Sequence, residues 1–263
     1  MINKIKNINP MIHCITNPIS INQCANAILA LGAKPIMAEH PTEVAEITKT
    51  ADALLLNIGN ITDVRMKSIS ISAETAVLNN IPFVFDAVGV SCSEMRRKFT
   101  LELMEKYSPN VLKGNYSEIR ALYNSDYKSK GIDADINLTV KDISKVAVNL
   151  AKKFNITIIS SGETDIVTDG EKLFYVKNGT YKLSCITGTG CMLGAICACF
   201  LSFDNKISSA VNACATLGVC GELSEIENGN GSFLAKVLDN ISFITDEVLS
   251  KFIKLEEIDI DKF

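Results

Sequence analysis

The sequence predicts an α/β protein in which helices cover both faces of a mostly parallel central sheet, with a C-terminal helical segment, all in one domain over residues 1–263. Three observations predict it. Short apolar runs alternate with longer segments of helical period, which is the rhythm of βα units. Of the 263 residues, 47% are hydrophobic and 21% charged, enough apolar side chain for a large core. No linker long enough to separate a pair of domains, no internal repeat and no low-complexity tract breaks the series.

In chain order, Ser20 to Leu31 reads as a helix stopped by Gly32, and Pro35 to Ala38 as a short strand. Pro41 to Thr50 reads as a helix opened by proline in its first turn. Ala53 to Ile58 is a buried strand ending at Gly59, followed by a helix from Thr62 to Asn80 and the strand Pro82 to Phe85, which ends at Asp86. The alternation continues through a helix at Ser93 to Tyr107, a strand at Asn110 to Leu112 and a helix opened by Asn115. Asn124 to Asn137 is polar and aperiodic, as a surface connection would be. Next come a helix from Thr139 to Phe154 and a strand from Ile156 to Ser160. Asp169-Gly170 then separates two short apolar runs as the turn of an antiparallel hairpin, so the sheet is expected to be mixed. Three closing helices are expected at Gly190 to Leu201, Ile207 to Leu223 and Phe233 to Phe252.

Charge and cysteine usage exclude several classes. Formal net charge is -4, and the densest basic run, Arg96-Arg97-Lys98, lies in a helical pattern beside Glu94 and Glu102, so no nucleic-acid footprint is present. The nine cysteines are odd in number, contain no CxxC pair and have only His13 and His40 as potential co-ligands, which supports neither a disulfide framework nor a zinc site. Most are expected in the core. The longest apolar run, Cys191 to Leu201, falls short of the roughly 18 residues of a membrane span, and polar residues interrupt the N-terminus, so a cytoplasmic protein with reduced thiols is expected.

The stretch Thr187-Gly188-Thr189-Gly190-Cys191-Met192-Leu193-Gly194 carries the most chemistry. Two glycines before an apolar helix let backbone amides approach an anion, with the positive end of the helix dipole behind them. The stretch matches neither the dinucleotide fingerprint nor the P-loop, and a plain glycine turn into a buried helix is an equal reading. Cys191, in the first turn, is the one cysteine whose position argues for a lowered pKa. Asp86 ends an apolar run and Glu118 follows Asn115 by one helical turn, so both could face the crevice at the carboxyl edge of a parallel sheet, where carboxylates suit Mg²⁺. Glu118 could equally satisfy the helix start behind Asn115. Asn17 could meet a ligand or cap a helix, and Met37 could be core or pocket wall.

Together and in this order, several stretches resemble hydroxyethylthiazole kinase, a ribokinase-like family. They are His13-Cys14-Ile15-Thr16-Asn17, Leu31 to Met37, Leu54 to Gly59, Phe85 to Gly89, Lys113 to Ile119, Ser161 to Asp165 and Gly188 to Cys191. The cysteine discriminates, because most ribokinase-like enzymes carry an aspartate base there. The resemblance implies a three-layer α/β/α fold and ATP-dependent phosphorylation of the alcohol of 4-methyl-5-(2-hydroxyethyl)thiazole with Mg²⁺, in a homotrimer with active sites between subunits. It implies that Met37 and Gly188 contact the thiazole, that Lys113 and Ser161 contact ATP, and that Asp86 and Glu118 hold the metal and its waters. Cys191 would take the place of the catalytic base. Two departures stand out: Lys113 where many members have arginine, which loses a bidentate fork, and Ala87 where members commonly have proline. A ribokinase-like kinase for a pyrimidine or sugar alcohol, a thiol-dependent hydrolase and a non-catalytic nucleotide sensor are the other readings.

Overall fold

The computed structural model describes residues 1–124, 139–225 and 229–262. Its strands are β1 (Met11–Ile15), β2 (Lys34–Ile36), β3 (Ala53–Asn57), β4 (Phe83–Asp86), β5 (Val111–Asn115), β6 (Thr157–Ser161), β7 (Asp165–Thr168), β8 (Leu173–Val176) and β9 (Leu255–Ile258). They form one sheet in the order β2-β1-β3-β4-β5-β6-β7-β8-β9. Pairings from β2 through β6 are parallel, and those from β6 through β9 antiparallel. The sheet is therefore mixed, as the Asp169-Gly170 turn predicts. Asp169 Oδ1 accepts from the amides of Glu171 and Lys172, and Gly170 sits at φ 92°, which favours glycine.

Alternation along the strands sends side chains to two separate cores. On one face Leu55, Val84, Val111 and Ile159 pack beneath α2 (Ile21–Leu31), α9 (Thr189–Leu201), α10 (Lys206–Glu222) and α11 (Asn230–Phe243). On the other, Leu54, Leu56, Phe85, Leu112 and Ile158 pack beneath α4 (Asp63–Leu78), α5 (Glu94–Tyr107), α6 (Tyr116–Tyr123) and α7 (Val140–Phe154). The α9 helix is apolar all round because it is the middle of its layer: it packs on α2 and α10 and lies over β3 and β4. Six cysteines, at 14, 24, 197, 199, 214 and 220, are buried, which bears out their reading as core residues.

Several boundaries differ from the sequence expectation. The helix expected from Phe233 to Phe252 is two, because Ile244 is extended and Thr245 accepts from Val248 N to open α12 (Asp246–Phe252). A capping threonine inside a continuous apolar period is easily passed over. Helix α3 (Val44–Thr50) starts after Pro41, since residues 41–43 form a turn closed on the His40 carbonyl. Helices α1 (Ile2–Ile8) and α8 (Tyr181–Ser184), and the edge strand β9, are additional elements. Of the polar connection expected at 124–137, residues 125–137 lie outside the described residues. Among the described residues no helix is long and apolar enough to cross a membrane.

Candidate active site

Parallel strands deliver their last residues to one edge, and the register decides which meet. Asn57 pairs with Asp86 across β3 and β4, and Asp86 with Lys113 across β4 and β5. All three follow residues of the α9-side core by two positions, so their side chains rise toward α9. Lys113 Nζ donates to Asp86 Oδ1 at 2.9 Å, and Asn57 Nδ2 donates to Asp86 Oδ2 at 2.7 Å. The ion pair is deep: 5% of the Lys113 side chain is exposed and none of Asp86. Burial opposes both charges; Asp86 is raised by it, with Lys113 and Asn57 pulling back. Burial works against the lysine too, but Asp86, Cys191 and Glu118 around it hold its pKa above the ordinary lysine value. The ammonium is therefore firmly protonated.

The glycine turn sits on top of this pair. Gly188, at φ 92°, caps α9, and the first bond of the helix runs from Met192 N to Gly188 O. The amides of residues 189–191 consequently have no acceptor within the helix. A Cβ at Gly190 would lie 3.4 Å from Lys113 Nζ, and one at Gly194 would lie 3.7 Å from Asp86 Oδ2 and 3.1 Å from Leu55 Cδ1. Missing side chains thus let the helix start down onto the lysine and the carboxylate. Free amides, a helix dipole and a buried ammonium converge on one point, which is the outline of an anion site.

Cys191 is half-buried at the same point. Its sulfur accepts from Asn57 Nδ2 at 3.3 Å and from Asn17 Nδ2 at 3.5 Å. Its pKa is raised by burial and by Asp86, while Lys113, Ser20 and Asn17 only partly compensate. The direction is opposite to the lowered pKa expected from the helix dipole: removal from water and a neighbouring carboxylate raise it. The hydrolase reading also lacks its base. Ala38 O can only accept, so His13 Nε2 donates to it at 2.9 Å, and Nδ1 takes the Thr48 hydroxyl, also at 2.9 Å. His40 is exposed and bonded to Thr42.

Glu118 takes the capping place expected of it at the start of α6. Asn115 Oδ1 accepts from Glu118 N, and Glu118 Oε2 accepts from Asn115 N at 2.7 Å, closing a capping box on α6. Its other oxygen accepts from Gly89 N at 2.7 Å, in the loop after Asp86. Burial pushes its pKa up to about 7, with Lys113 lowering it and Asp86 raising it. Two buried carboxylates therefore lie in the field of one ammonium, Asp86 bonded to it and Glu118 bonded to the amides of Gly89 and Asn115. That deficit of positive charge, on hard oxygen donors, fits a divalent cation taken up largely through its waters. Among the described residues no group of three or more His, Cys, Asp or Glu side chains could hold a metal.

Ser161 ends β6 opposite Asn115, and its hydroxyl donates to Gly114 O at 3.4 Å. The loop after it is braced from below: Tyr116 donates to Thr164 O, and Asp165 Oδ1 accepts from Gly162 N at 3.1 Å. Gly162 is required there, since a Cβ would come 2.5 Å from the Tyr116 ring. Met37 lies just beyond β2, half-buried against the same core as Cys191, and Gly188 faces Ser20 and Gln23 of the α2 start. The structure thus brings Asp86, Lys113, Glu118, Gly190 and Cys191 together, with Ser161 and Met37 farther along the same strand edge. Sequence reasoning does not single out Asn57; its one signal is a polar residue closing the apolar run Leu54-Leu55-Leu56.

Comparison with known proteins places this geometry in a family context. Residues 2–247 match the hydroxyethylthiazole kinase family. Hydroxyethylthiazole kinase 2 of Clostridium botulinum strain Hall is 44% identical over 256 residues, covering 95% of this chain and 97% of that one. The solved hydroxyethylthiazole kinase protein of Pyrococcus horikoshii OT3 superposes with a TM-score of 0.90 at 32% identity, over 98% of this chain and 97% of the other. A Bacillus subtilis pyridoxal kinase in an ADP complex shares the fold, with a TM-score of 0.63 at 15% identity over 84% of this chain and 94% of that one.

Proposed function

The chain belongs to the hydroxyethylthiazole kinase family, and from that premise we propose that it transfers the terminal phosphoryl group of ATP to the hydroxyl of 4-methyl-5-(2-hydroxyethyl)thiazole in thiamine salvage. The observation that carries this is the glycine turn of α9 resting on the buried Lys113–Asp86 pair. Phosphoryl transfer needs positioned positive charge and hydrogen-bond donors more than covalent help. Here the amides of residues 189–191 and the Lys113 ammonium receive the migrating phosphoryl group. Asp86 and Glu118 would hold Mg²⁺ and its waters, and the chemistry the ion would supply there is neutralisation of charge on the phosphate oxygens. Lys113 and Ser161 contact ATP, and Met37 and Gly188 contact the thiazole.

Cys191 takes the place beside the alcohol. A thiol with a raised pKa is protonated at neutral pH, so it orients the hydroxyl rather than taking its proton; that proton leaves late, as a loose transition state allows, passing to an oxygen of the transferred phosphoryl group and from there to water. Lys113 in place of a bidentate arginine keeps the charge and loses the fork.

We further propose a single cytoplasmic kinase domain acting as a homotrimer, with each site walled by a second copy. The large apolar side chains of Ile19 and Tyr181, in the segments leading to α2 and to the glycine turn, are 57% and 84% exposed, which favours such a wall. The deciding experiment is a coupled ADP-release assay against thiazole, pyrimidine and sugar alcohols. ADP release with the thiazole alcohol is expected; release only with another alcohol would reassign the substrate, and none with any would overturn the kinase reading.

A further inference from the structure

We propose that Asn57 is a positioning residue for the transfer reaction, a two-handed amide that holds the Asp86 carboxylate and the Cys191 thiol in fixed relation; this rests on the kinase reading above. Asn57 is fully buried, and every hydrogen-bonding position of its amide is used. Its Nδ2 group gives one N–H to Asp86 Oδ2 at 2.7 Å and one to Cys191 Sγ at 3.3 Å. Its Oδ1 accepts from Gly59 N at 2.9 Å and from Asn17 Nδ2 at 3.0 Å. The backbone donor of Gly59 fixes which end of the amide is oxygen, so the NH₂ must face the carboxylate and the thiol.

Asn17 extends the clamp. Its Oδ1 accepts from the amides of Ile19 and Ser20, both at 3.1 Å, and its Nδ2 group donates to Asn57 Oδ1 and to Cys191 Sγ. The chain of bonds runs from the start of α2 through two amides to the carboxylate that Lys113 holds from the other side. Asp86 is thus gripped on each oxygen by a different residue, and Cys191 by two amide donors, one at the end of β3 and one in the segment before α2. Among the described residues Asn57 alone bonds to both groups, so it sets the distance between the metal-holding carboxylate and the side chain beside the alcohol. A partner that orients such a carboxylate is typically worth about 10–100-fold in metal affinity or activity.

Asn57→Asp keeps the shape and the oxygen that serves Gly59 N while replacing both N–H donors with an oxygen that the Asp86 carboxylate repels or shares a proton with. Asn57→Ser adds no charge and is too short to reach both groups, so it reads the same loss if the aspartate variant does not fold. The expected result is a kcat lower by about 10–100-fold, with KM for the thiazole alcohol within about threefold. The rise in Tm given by ATP with a divalent cation is expected to shrink, and the rise given by the alcohol alone to persist. A kcat matching the unmodified chain in folded Asn57→Asp or Asn57→Ser would overturn the role of Asn57 alone. An unmodified chain that releases no ADP would overturn the kinase reading and this role together.

Discussion

At the residue scale, the candidate site is governed by what burial does to charge. Lys113, Asp86 and Glu118 crowd together out of water, and the thiol among them is driven toward its protonated form. The backbone amides need no ionisation to act, so they are expected to matter more than Cys191. Gly190→Pro deletes one donor and sets ring atoms against Lys113 Nζ, so it is expected to cost at least the about 10²–10³ in kcat that one such donor is usually worth. Cys191→Ala is expected to slow turnover by less than the about 10²–10⁴ that a full general base contributes. Unchanged turnover in that variant would remove Cys191 from the reaction. Cys191→Asp, which Asn17 and Asn57 can serve with the same donors, is expected to keep or raise activity. Steady-state kinetics on the three variants checks all of these. The glycines, Asp86, Glu118 and Cys191 are visible in the sequence as residue types at strand ends and at a helix start. The amide network is not, because Asn17, Asn57 and Cys191 are brought together only by the fold.

At the scale of elements, the inner parallel strands are legible because they are buried on both faces and read as apolar runs, Ala53 to Leu56 being the clearest. The later boundaries are harder. Edge strand β9 is mostly exposed and charged, so its pairing with β8 leaves no apolar signature. The α11–α12 break depends on one cap, at Thr245. The start of β7 carries a pH signature. Burial raises Asp165 from an ordinary 3.8 to about 6, while Gly162 N, a bond to Cys214 and Lys113 pull it down only in part. The folded chain then binds this proton more tightly than the unfolded one. The associated stability is fully present below about pH 4, declines as pH rises, and is gone above about pH 6. Asp165→Asn keeps an oxygen for Gly162 N and removes the charge. Its Tm is expected to equal that of the unmodified chain near pH 4 and to exceed it above pH 6; a gap independent of pH would contradict the buried-carboxylate explanation.

At the scale of the whole molecule, two cores clamp one sheet, and the carboxyl ends of β3, β4 and β5 meet the start of α9 where four elements converge. The proposed homotrimer predicts a particle about three times the 28.6 kDa of one chain, measurable by light scattering; a monomer or dimer of full activity would contradict it. The most direct test of the central claim is a crystal structure with a non-hydrolysable ATP analogue and Mg²⁺. The expected result places the terminal phosphate within hydrogen-bonding distance of the amides of residues 189–191 and of Lys113 Nζ, on the side of Asp86. A triphosphate bound away from the start of α9 would contradict it.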